Sequence, residues 1–437
     1  MTGRFDNIHP GLTCEHARAI LRLPLQELEA QSDLYMAAAH LINCPGKATE
    51  KSLIQLLELQ GDEQPIQIAK RKAVEVLGRL NCVSSVLAIG KCLWSDDKYL
   101  VENTVWSLQL LKCDEPALIS QMLELLDDES QNQRILIQCL AALKVRKSFN
   151  AIQKLQFSVS SGVSGAAIAA VSQMSGDLKY MRRLVDYLAL PNQMDRQCAV
   201  QDLIDAKGSD YLEDIITAPV SPSFRMRACR NLLHSDDNSL LTMEKLCFID
   251  RVLDDDPDLI NVVHQYDKEP SPEFLIRDLF NTDFSRCYLA LNALQSFNSE
   301  HIFTLLQAAW EEEAYNDYGA HYLFIRLFGL QSGWSALAMN HIRTILGFEI
   351  RNQRPQFQKS RAAAINVYAR LFPDSFLASM PAFLDPSVSP PWDCRYVTIM
   401  VVDRMQGISK SHKANLLQPF LDDEDVFVAA RARAACF

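Results

Sequence analysis

The amino-acid sequence predicts an all-α protein, a solenoid in which helical pairs stack into a right-handed superhelix. Three observations predict it. Apolar residues recur at helical spacing in segments of roughly 10 to 14 residues, separated by short polar loops such as Ser95–Lys98, Asp127–Asn132 and Leu190–Asp195. Period-two alternation is almost absent, and the best strand-like run, Val397–Val402, falls where a helix is due. Above all, equivalent positions repeat. Arg71 (AKRKAVEVLGRL), Glu102 (KYLVENTVWSLQLL), Arg134 (NQRILIQCLAAL), Gly165 (VSGAAIAAVSQM), Arg196 (MDRQCAVQDLI) and Arg227 (SFRMRACRNLL) are separated by 31, 32, 31, 31 and 31 residues. A fixed period of about 20 to 50 residues marks a chain of repeats that bury a core only by stacking on their neighbours.

In chain order, residues 1–34 read as an N-terminal cap carrying a helix, Cys14–Leu23, entered through Thr13. Tyr35–Ile42 opens the first repeat, and the turn Asn43–Lys47 follows it. Regular repeats fill 35–235, with the loop Gly61–Gln67 lengthening the first step. The period fails over 236–284, which holds Asp254–Asp258, Pro270 and Pro272 and reads as an irregular repeat or a bend. Residues 285–437 resume with looser members at Arg286, His321, Arg361 and Arg395. Paired helices of this length at this period match HEAT-like repeats, and one continuous α-solenoid over 1–437 is expected.

Composition narrows the function. Charged residues are 22% and hydrophobic ones 48% of the chain, which is globular usage. The net charge of −11 argues against a nucleic-acid partner, which needs a basic field. The 12 cysteines are scattered, with no CxxC pair and no zinc-like Cys/His spacing. Most, Cys139 and Cys198 among them, lie on apolar helix faces and are expected as buried thiols, which fits a reducing compartment. No signal-peptide layout and no long apolar run occurs, so a cytoplasmic protein without a membrane partner is expected. Gly-rich phosphate loops and the GxSxG, HExxH and kinase motifs are absent.

The stretch Lys98–Leu111 has two faces. Leu100, Val101, Thr104, Val105, Leu108 and Leu111 form a core stripe. Tyr99, Glu102, Asn103, Trp106 and Gln109 fall opposite. Two aromatics beside a carboxylate and an amide suit a ligand or a partner, or a neighbouring repeat packed over Trp106. The arginines of the repeating column have two readings as well. They form a structural ladder, each paired with an Asp of the preceding turn, or two or three of them bind carboxylates or phosphates. Asp317, Tyr318, His321 and Tyr322, with Tyr315 nearby, hold the parts for proton transfer near neutral pH if Asp317 and His321 sit one helical turn apart. Trp392, Asp393, Arg395 and Tyr396 could stack on a planar ligand or simply start a helix.

AKRKAVEVLGRL followed by KYLVENTVWSLQLL resembles the most recognisable block of the E/F-type phycobilin lyases, and RFDNIHPGLT and SDLYMAAAHLINCP resemble the start of the longer, single-polypeptide members. The resemblance implies an enzyme that joins phycoerythrobilin, an open-chain tetrapyrrole, through a thioether to a cysteine of the apo-phycoerythrin α subunit. Some long members also isomerise the bilin to phycourobilin. No metal or other cofactor is implied, and the nucleophile belongs to the acceptor. On this reading Arg196, Arg227 and Arg286 hold the propionates, and Tyr99 and Trp106, with Asn103 beside them, wall the pyrroles. Glu102 or Asp317 faces the pyrrole N–H groups, and Asp317, Tyr318 and His321 move protons. A non-catalytic scaffold or a bilin chaperone with the same fold is the alternative.

Overall fold

A computed structural model describes residues 11–61, 63–234, 241–383 and 390–436. Residues 1–10 of the expected cap and 236–240 of the expected irregular segment lie outside the described residues. Among the described residues there is no strand, only helices and their connections. The chain divides into two compact units, Met1–Leu178 and Lys179–Phe437.

In the first unit the helix Cys14–Ile20 begins at Thr13, whose Oγ1 accepts from the His16 amide at 3.1 Å. It ends sooner than its apolar pattern, because Leu23 precedes Pro24 and is disfavoured in the helical region. It packs on Asp33–His40, and a disulfide joins its first residue, Cys14, to Cys44 in the turn that follows that helix. This departs from the expectation of thiols throughout. His40 lies beside the bridge, but both sulfurs are bonded to each other. Cys139 is buried as expected, whereas Cys198 is half-buried and Cys247 exposed.

The second helix of each pair then stacks on the second helix of the next. Asp33–His40 packs on Gln64–Arg79, that on Lys98–Leu110, that on Gln133–Ala142, and that on Ser161–Ser175. Between Gln64–Arg79 and Lys98–Leu110 the approach is close: a Cβ on Gly78 would lie 2.8 Å from Ser107 Oγ, which itself donates to the Val74 carbonyl at 2.9 Å. The stripe Leu100, Val101, Thr104, Val105, Leu108 and Leu111 is buried throughout.

The repeat is also written in the backbone. Positive φ angles occur at Asn81 (53°), Lys112 (52°), Lys144 (55°), Gly176 (74°) and Lys207 (56°), one per period. After four of these residues the next amide bonds five residues back: Cys82 to the Leu77 carbonyl, Cys113 to Leu108, Val145 to Leu140 and Gly208 to Leu203, at 2.9 to 3.1 Å. This is the left-handed helix stop that satisfies the orphan carbonyls of a last turn.

In the second unit Gln193–Asp205 packs on Pro222–Leu233, and that on Met243–Asp254. Phe284–Leu294, Ala320–Leu330, Gln358–Leu371, Trp392–Arg404 and Val426–Cys436 stack in turn. Val397–Val402 is helical, as the repeat requires. The last three of these helices also reach back to Met243–Asp254. Asp250 accepts from Tyr396 (2.8 Å) and Arg431 (3.2 and 3.3 Å), and both carboxylate oxygens of Asp254 accept from Nη1 of Arg404 (2.7 and 2.8 Å). The irregular segment beyond it holds a short turn of helix at Pro257–Leu259 and an extended run, pinned where the Asn261 amide meets the Thr217 carbonyl at 2.8 Å.

Non-glycine residues in the left-handed region are strained by about 1 kcal/mol or more. Lys144→Gly should therefore raise the stability of the protein by up to about 1 kcal/mol, reduced by glycine's larger unfolded-state entropy. An upward shift of the urea midpoint at unchanged slope is the expected readout.

Candidate functional site

The exposed face of the first unit is built from two stacked helices. Gln64–Arg79 supplies Arg71, Lys72, Glu75 and Arg79, and Lys98–Leu110 supplies Tyr99, Glu102, Asn103 and Trp106. Asp97 caps the second helix through its contact with the Tyr99 amide (3.0 Å) and takes a bidentate pair from Arg71 (2.7 and 2.9 Å). That pair holds the Arg71 guanidinium 4.8 Å from the centre of the Tyr99 ring. About two turns along the helix, Arg79 sits 5.7 Å from the centre of Trp106, and Lys72, next to Arg71, lies 5.4 Å from Tyr35. Glu75 ties Lys72 and Arg79 together, the latter at 2.9 Å. Each aromatic ring thus has a cation at its face, an arrangement worth about 0.5–2 kcal/mol apiece.

Tyr99 is 52% exposed and Trp106 half-buried. The Asn103 amide is tied to the Tyr99 carbonyl at 2.9 Å. Glu102 is half-buried between them and forms no hydrogen bond or ion pair with any described residue. Arg71 also borders a cavity of about 840 Å³ that Lys70, Lys91, Trp94 and Asp97 line, within the usual size range of ligand pockets. The four residues expected from the Lys98–Leu111 stretch therefore do share one face, with cations that the sequence reading did not assign to it. Their signal was present as Arg71, Lys72 and Arg79 at helical spacing on the preceding repeat.

The arginine column divides differently from expectation. Arg196 is wholly buried: it donates to the carbonyls of Leu190 and Pro191 (both 2.7 Å) and Pro219 (3.2 Å), and pairs with Asp283. It holds loops together and presents nothing to a ligand. Arg361, 3% exposed, is tied likewise to the Ile350 carbonyl at 2.7 Å. Arg395 grips Asp423 at 2.7 and 2.8 Å. The partner carboxylates, Asp97, Asp283 and Asp423, come from turns that follow each arginine, not from the preceding one. Arg286 is half-exposed and engaged with Asp278 at 3.2 Å, whereas Arg227 is exposed, its guanidinium bonded among the described residues to Gln201. The buried arginine of that repeat is Arg225, the fourth residue of its helix as Arg196 is of its own.

The expected proton-transfer trio does not assemble. Asp317 precedes the helix Ala320–Leu330 and caps it, accepting from the Gly319 and Ala320 amides at 2.8 and 2.7 Å. His321 is fully buried between Trp310 and Phe357, ring centres 5.1 and 4.2 Å away, with Nε2 3.2 Å from Glu349. It faces the core and cannot reach a ligand beside Tyr318, which is 63% exposed. In its place stands Lys359, from the helix Gln358–Leu371. Its ammonium lies 4.7 Å from the ring centre of Tyr318, 5.3 Å from Phe284 and 5.4 Å from Tyr322.

Beneath this cage lies a buried charge network. The Asp255 carboxylate accepts from Arg225 (2.6 Å), Tyr288 (2.9 and 3.0 Å) and Tyr322 (2.5 Å). Burial opposes the charge of Asp255, but Arg225 and Arg326 outweigh it and hold the carboxyl below its ordinary range. The third expected cluster is structural: Arg230 stacks 4.0 Å over Trp392, and the Tyr396 hydroxyl is bonded to Asp250. Burial pushes Asp393 up to about 6.

Two substitutions separate structure from binding. Arg196→Ala strips Asp283 of its guanidinium partner and three carbonyls of a donor and should destabilise the protein by about 3–5 kcal/mol, whereas Arg227→Ala should change it by less than about 0.5 kcal/mol. Urea unfolding of both variants checks this. Asp255→Asn strips the partner from Arg225 and should cost about 3–5 kcal/mol at pH 7. Because the native carboxyl titrates below its unfolded value near 3.9, its contribution is complete above that value and is lost as the pH falls through the native one. The deficit of the variant should accordingly shrink in acid.

No family model matches the chain. It is 47% identical to the bilin biosynthesis protein CpeY of Synechococcus sp. (strain WH8020) over 411 residues, 94% of this chain and 98% of that protein. It is 31% identical to the uncharacterized phycocyanin operon protein Y of Pseudanabaena tenuis (strain PCC 7409), over 90% and 92% of the two chains. Among solved structures, the complex of CpcE and CpcF of phycocyanin lyase from Nostoc sp. PCC7120 aligns with 58% of this chain and 98% of its own at 24% identity and a TM-score of 0.48, a likeness too slight to extend the argument. Among the described residues no helix is long and apolar enough to cross a membrane. Identity of this extent over nearly the whole length settles the relationship: the chain belongs to the CpeY family of bilin biosynthesis proteins, within the E/F-type phycobilin lyases.

Proposed function

We propose that the protein is a phycobilin lyase that attaches phycoerythrobilin, through a thioether at its A-ring ethylidene carbon, to a cysteine of the phycoerythrin α subunit, and that it can isomerise the bilin to phycourobilin as it does so. The observation that carries the reading is the 47% identity with a bilin biosynthesis protein across 94% of the chain. The first unit's face supports it chemically. A bilin is a flat, conjugated dicarboxylate with inward pyrrole N–H groups. Tyr99 and Trp106 offer ring faces, Arg71, Lys72 and Arg79 offer cations, and Glu102 offers a carboxylate with its hydrogen-bonding capacity unfilled. Within the second unit, Arg227 and Arg286 keep guanidinium groups able to meet a carboxylate, whereas the buried Arg196 does not.

A surface of this kind would promote the reaction by orientation. It would fix an extended bilin shape and align the incoming thiol, which can supply a large share of a bimolecular barrier without a nucleophile of the enzyme's own.

Co-expression with phycoerythrobilin synthesis and an apo-phycoerythrin α subunit tests the reading. A covalent adduct absorbing as phycoerythrobilin is expected for attachment alone, and a blue-shifted adduct for attachment with isomerisation. Absence of any adduct with bilin present would leave a scaffold or a bilin chaperone. In the same assay Trp106→Ala and Glu102→Gln should each reduce the adduct yield by about tenfold or more, as loss of roughly 1.4 kcal/mol of binding would.

A further inference from the structure

Three soft donors meet where the N-terminal helix is fastened to the first repeat. Cys14 opens the helix Cys14–Ile20, His40 closes the helix Asp33–His40, and Cys44 follows the turn Leu41–Asn43 beyond it. His40 and Cys44 are four positions apart, the spacing at which two ligands on one helical run can face one metal ion. Cys14 arrives from 30 positions earlier in the chain. The two sulfurs and a ring nitrogen of His40 all lie within 4.8 Å of one another, and among the described residues this is the one trio of His, Cys, Asp or Glu ligand atoms so placed. Tetrahedral zinc, with Zn–S about 2.3 Å and Zn–N about 2.0 Å, sets its ligand atoms roughly 3.5–4 Å apart, a spacing these side chains meet once the sulfurs are no longer bonded. The other ten cysteines are free thiols, with Cys247 exposed, which is the usage of a chain kept under reducing conditions. Cys14 and His40 are half-buried and Cys44 is 6% exposed, so the trio lies at the margin of the core, within reach of a small reductant and a hydrated ion.

We propose that Cys14, His40 and Cys44 form a redox-gated zinc site: when the Cys14–Cys44 bridge is reduced, the two thiolates and the imidazole bind one Zn²⁺, with water in the fourth position. The step balances. Two equivalents of a thiol reductant supply two electrons and two protons and leave as a disulfide, and the bridge becomes two thiols. Zinc then displaces both thiol protons as the two S–Zn bonds form. Sulfur and imidazole nitrogen with no carboxylate suit a borderline-soft ion and disfavour magnesium and calcium. Either link, disulfide or metal, ties Cys14–Ile20 to the end of Asp33–His40, the helix that also presents Tyr35 to Lys72 on the exposed face of the first unit. Because the three ligands come from separate elements, the binding energy of the ion is also energy that keeps the N-terminal helix in place. The clamp therefore survives reduction of the bridge as long as zinc is present. Nothing in this inference depends on the lyase reading.

The test uses the full chain without bilin, reduced anaerobically with a phosphine and then freed of it, with Co²⁺ as the spectroscopic probe and Zn²⁺ as its competitor. The reduced protein should show thiolate-to-cobalt charge transfer and the ligand-field bands of tetrahedral cobalt, and a single Zn²⁺ per chain should abolish both. The oxidised protein, with its bridge intact, should show neither. His40→Ala should weaken zinc binding by about 10²-fold or more, since even a partner one shell further out is worth about 10–100-fold. Cys14→Ser should do the same, and Cys247→Ser, at an exposed thiol remote in sequence, should change nothing. Zinc should also raise the melting temperature of the reduced wild type and leave that of the oxidised protein unmoved. A zinc affinity unchanged by His40→Ala or by Cys14→Ser would place the metal on other side chains and overturn the proposal. A reduced protein that takes up no metal, or a bridge that resists reduction while the protein is folded, would overturn it as well. Should Cys14→Ser fail to fold, His40→Ala and the oxidised wild type decide.

Discussion

One buried carboxylate sets the register of the second unit. Asp255 sits just past the end of Met243–Asp254 in the left-handed conformation, at φ 41°. Its side chain collects Arg225 from one helix, Tyr288 from another and Tyr322 from a third, while its carbonyl accepts from Arg326. An unpaired charge at 1% exposure would be prohibitive, so these helices can pack only where all the donors arrive together. Hydrophobic contact brings the helices to one another, and the charge fixes which residues meet. The strained backbone at Asp255 is tolerated because the surrounding contacts over-determine it.

The same constraint shapes the chemistry above it. Asp255 and Tyr322 are bound to each other, so the ring of Tyr322 is held still as one wall of the Lys359 cage. Among the described residues no carboxylate binds the Tyr318 hydroxyl, and its side chain is open to solvent. A lysine flanked by one rigid ring and one accessible ring is shielded from water on its inner side and reachable from outside. The first unit's face solves a different problem: there Tyr35, Tyr99 and Trp106 are each matched by a cation, and Glu102 bonds to no described residue.

Much of the fold was legible because helical repeats print their period directly. Leu100, Val101, Thr104, Val105, Leu108 and Leu111 face the core as the spacing demands, and the helices carrying Arg71, Glu102, Arg134 and Gly165 stack on one another in that order. The site was less legible. Arg196 and Arg227 look alike in sequence, but a shift of two residues separates a buried anchor from an exposed side chain, and the repeat tolerates either Arg225 or Arg227 in the column. His321 was misread because a chain of polar letters, Asp317 to Tyr322, spans a turn and a helix start, so its members point in different directions. Lys359 could not be found from its own neighbourhood: the rings that enclose it lie 37 to 75 positions away in the chain, and only tertiary packing makes them neighbours. The Cys14–Cys44 bridge was missed because compartment was inferred from the average cysteine and not from this pair.

The left-handed stops after Asn81, Lys112, Lys144, Gly176 and Lys207 bear on how such a chain can change over time. The backbone hydrogen bonds of each stop run between its own helix's last turn and the residues just beyond it. A segment cut from one stop to the next therefore carries its own punctuation at its end. Duplicating or deleting such a cassette would lengthen or shorten the protein by a whole step without redesigning any junction, provided the exposed faces of the new neighbours still fit. Size can then vary in evolution by recombination between equivalent stops, while the faces that meet a ligand diverge by point substitution.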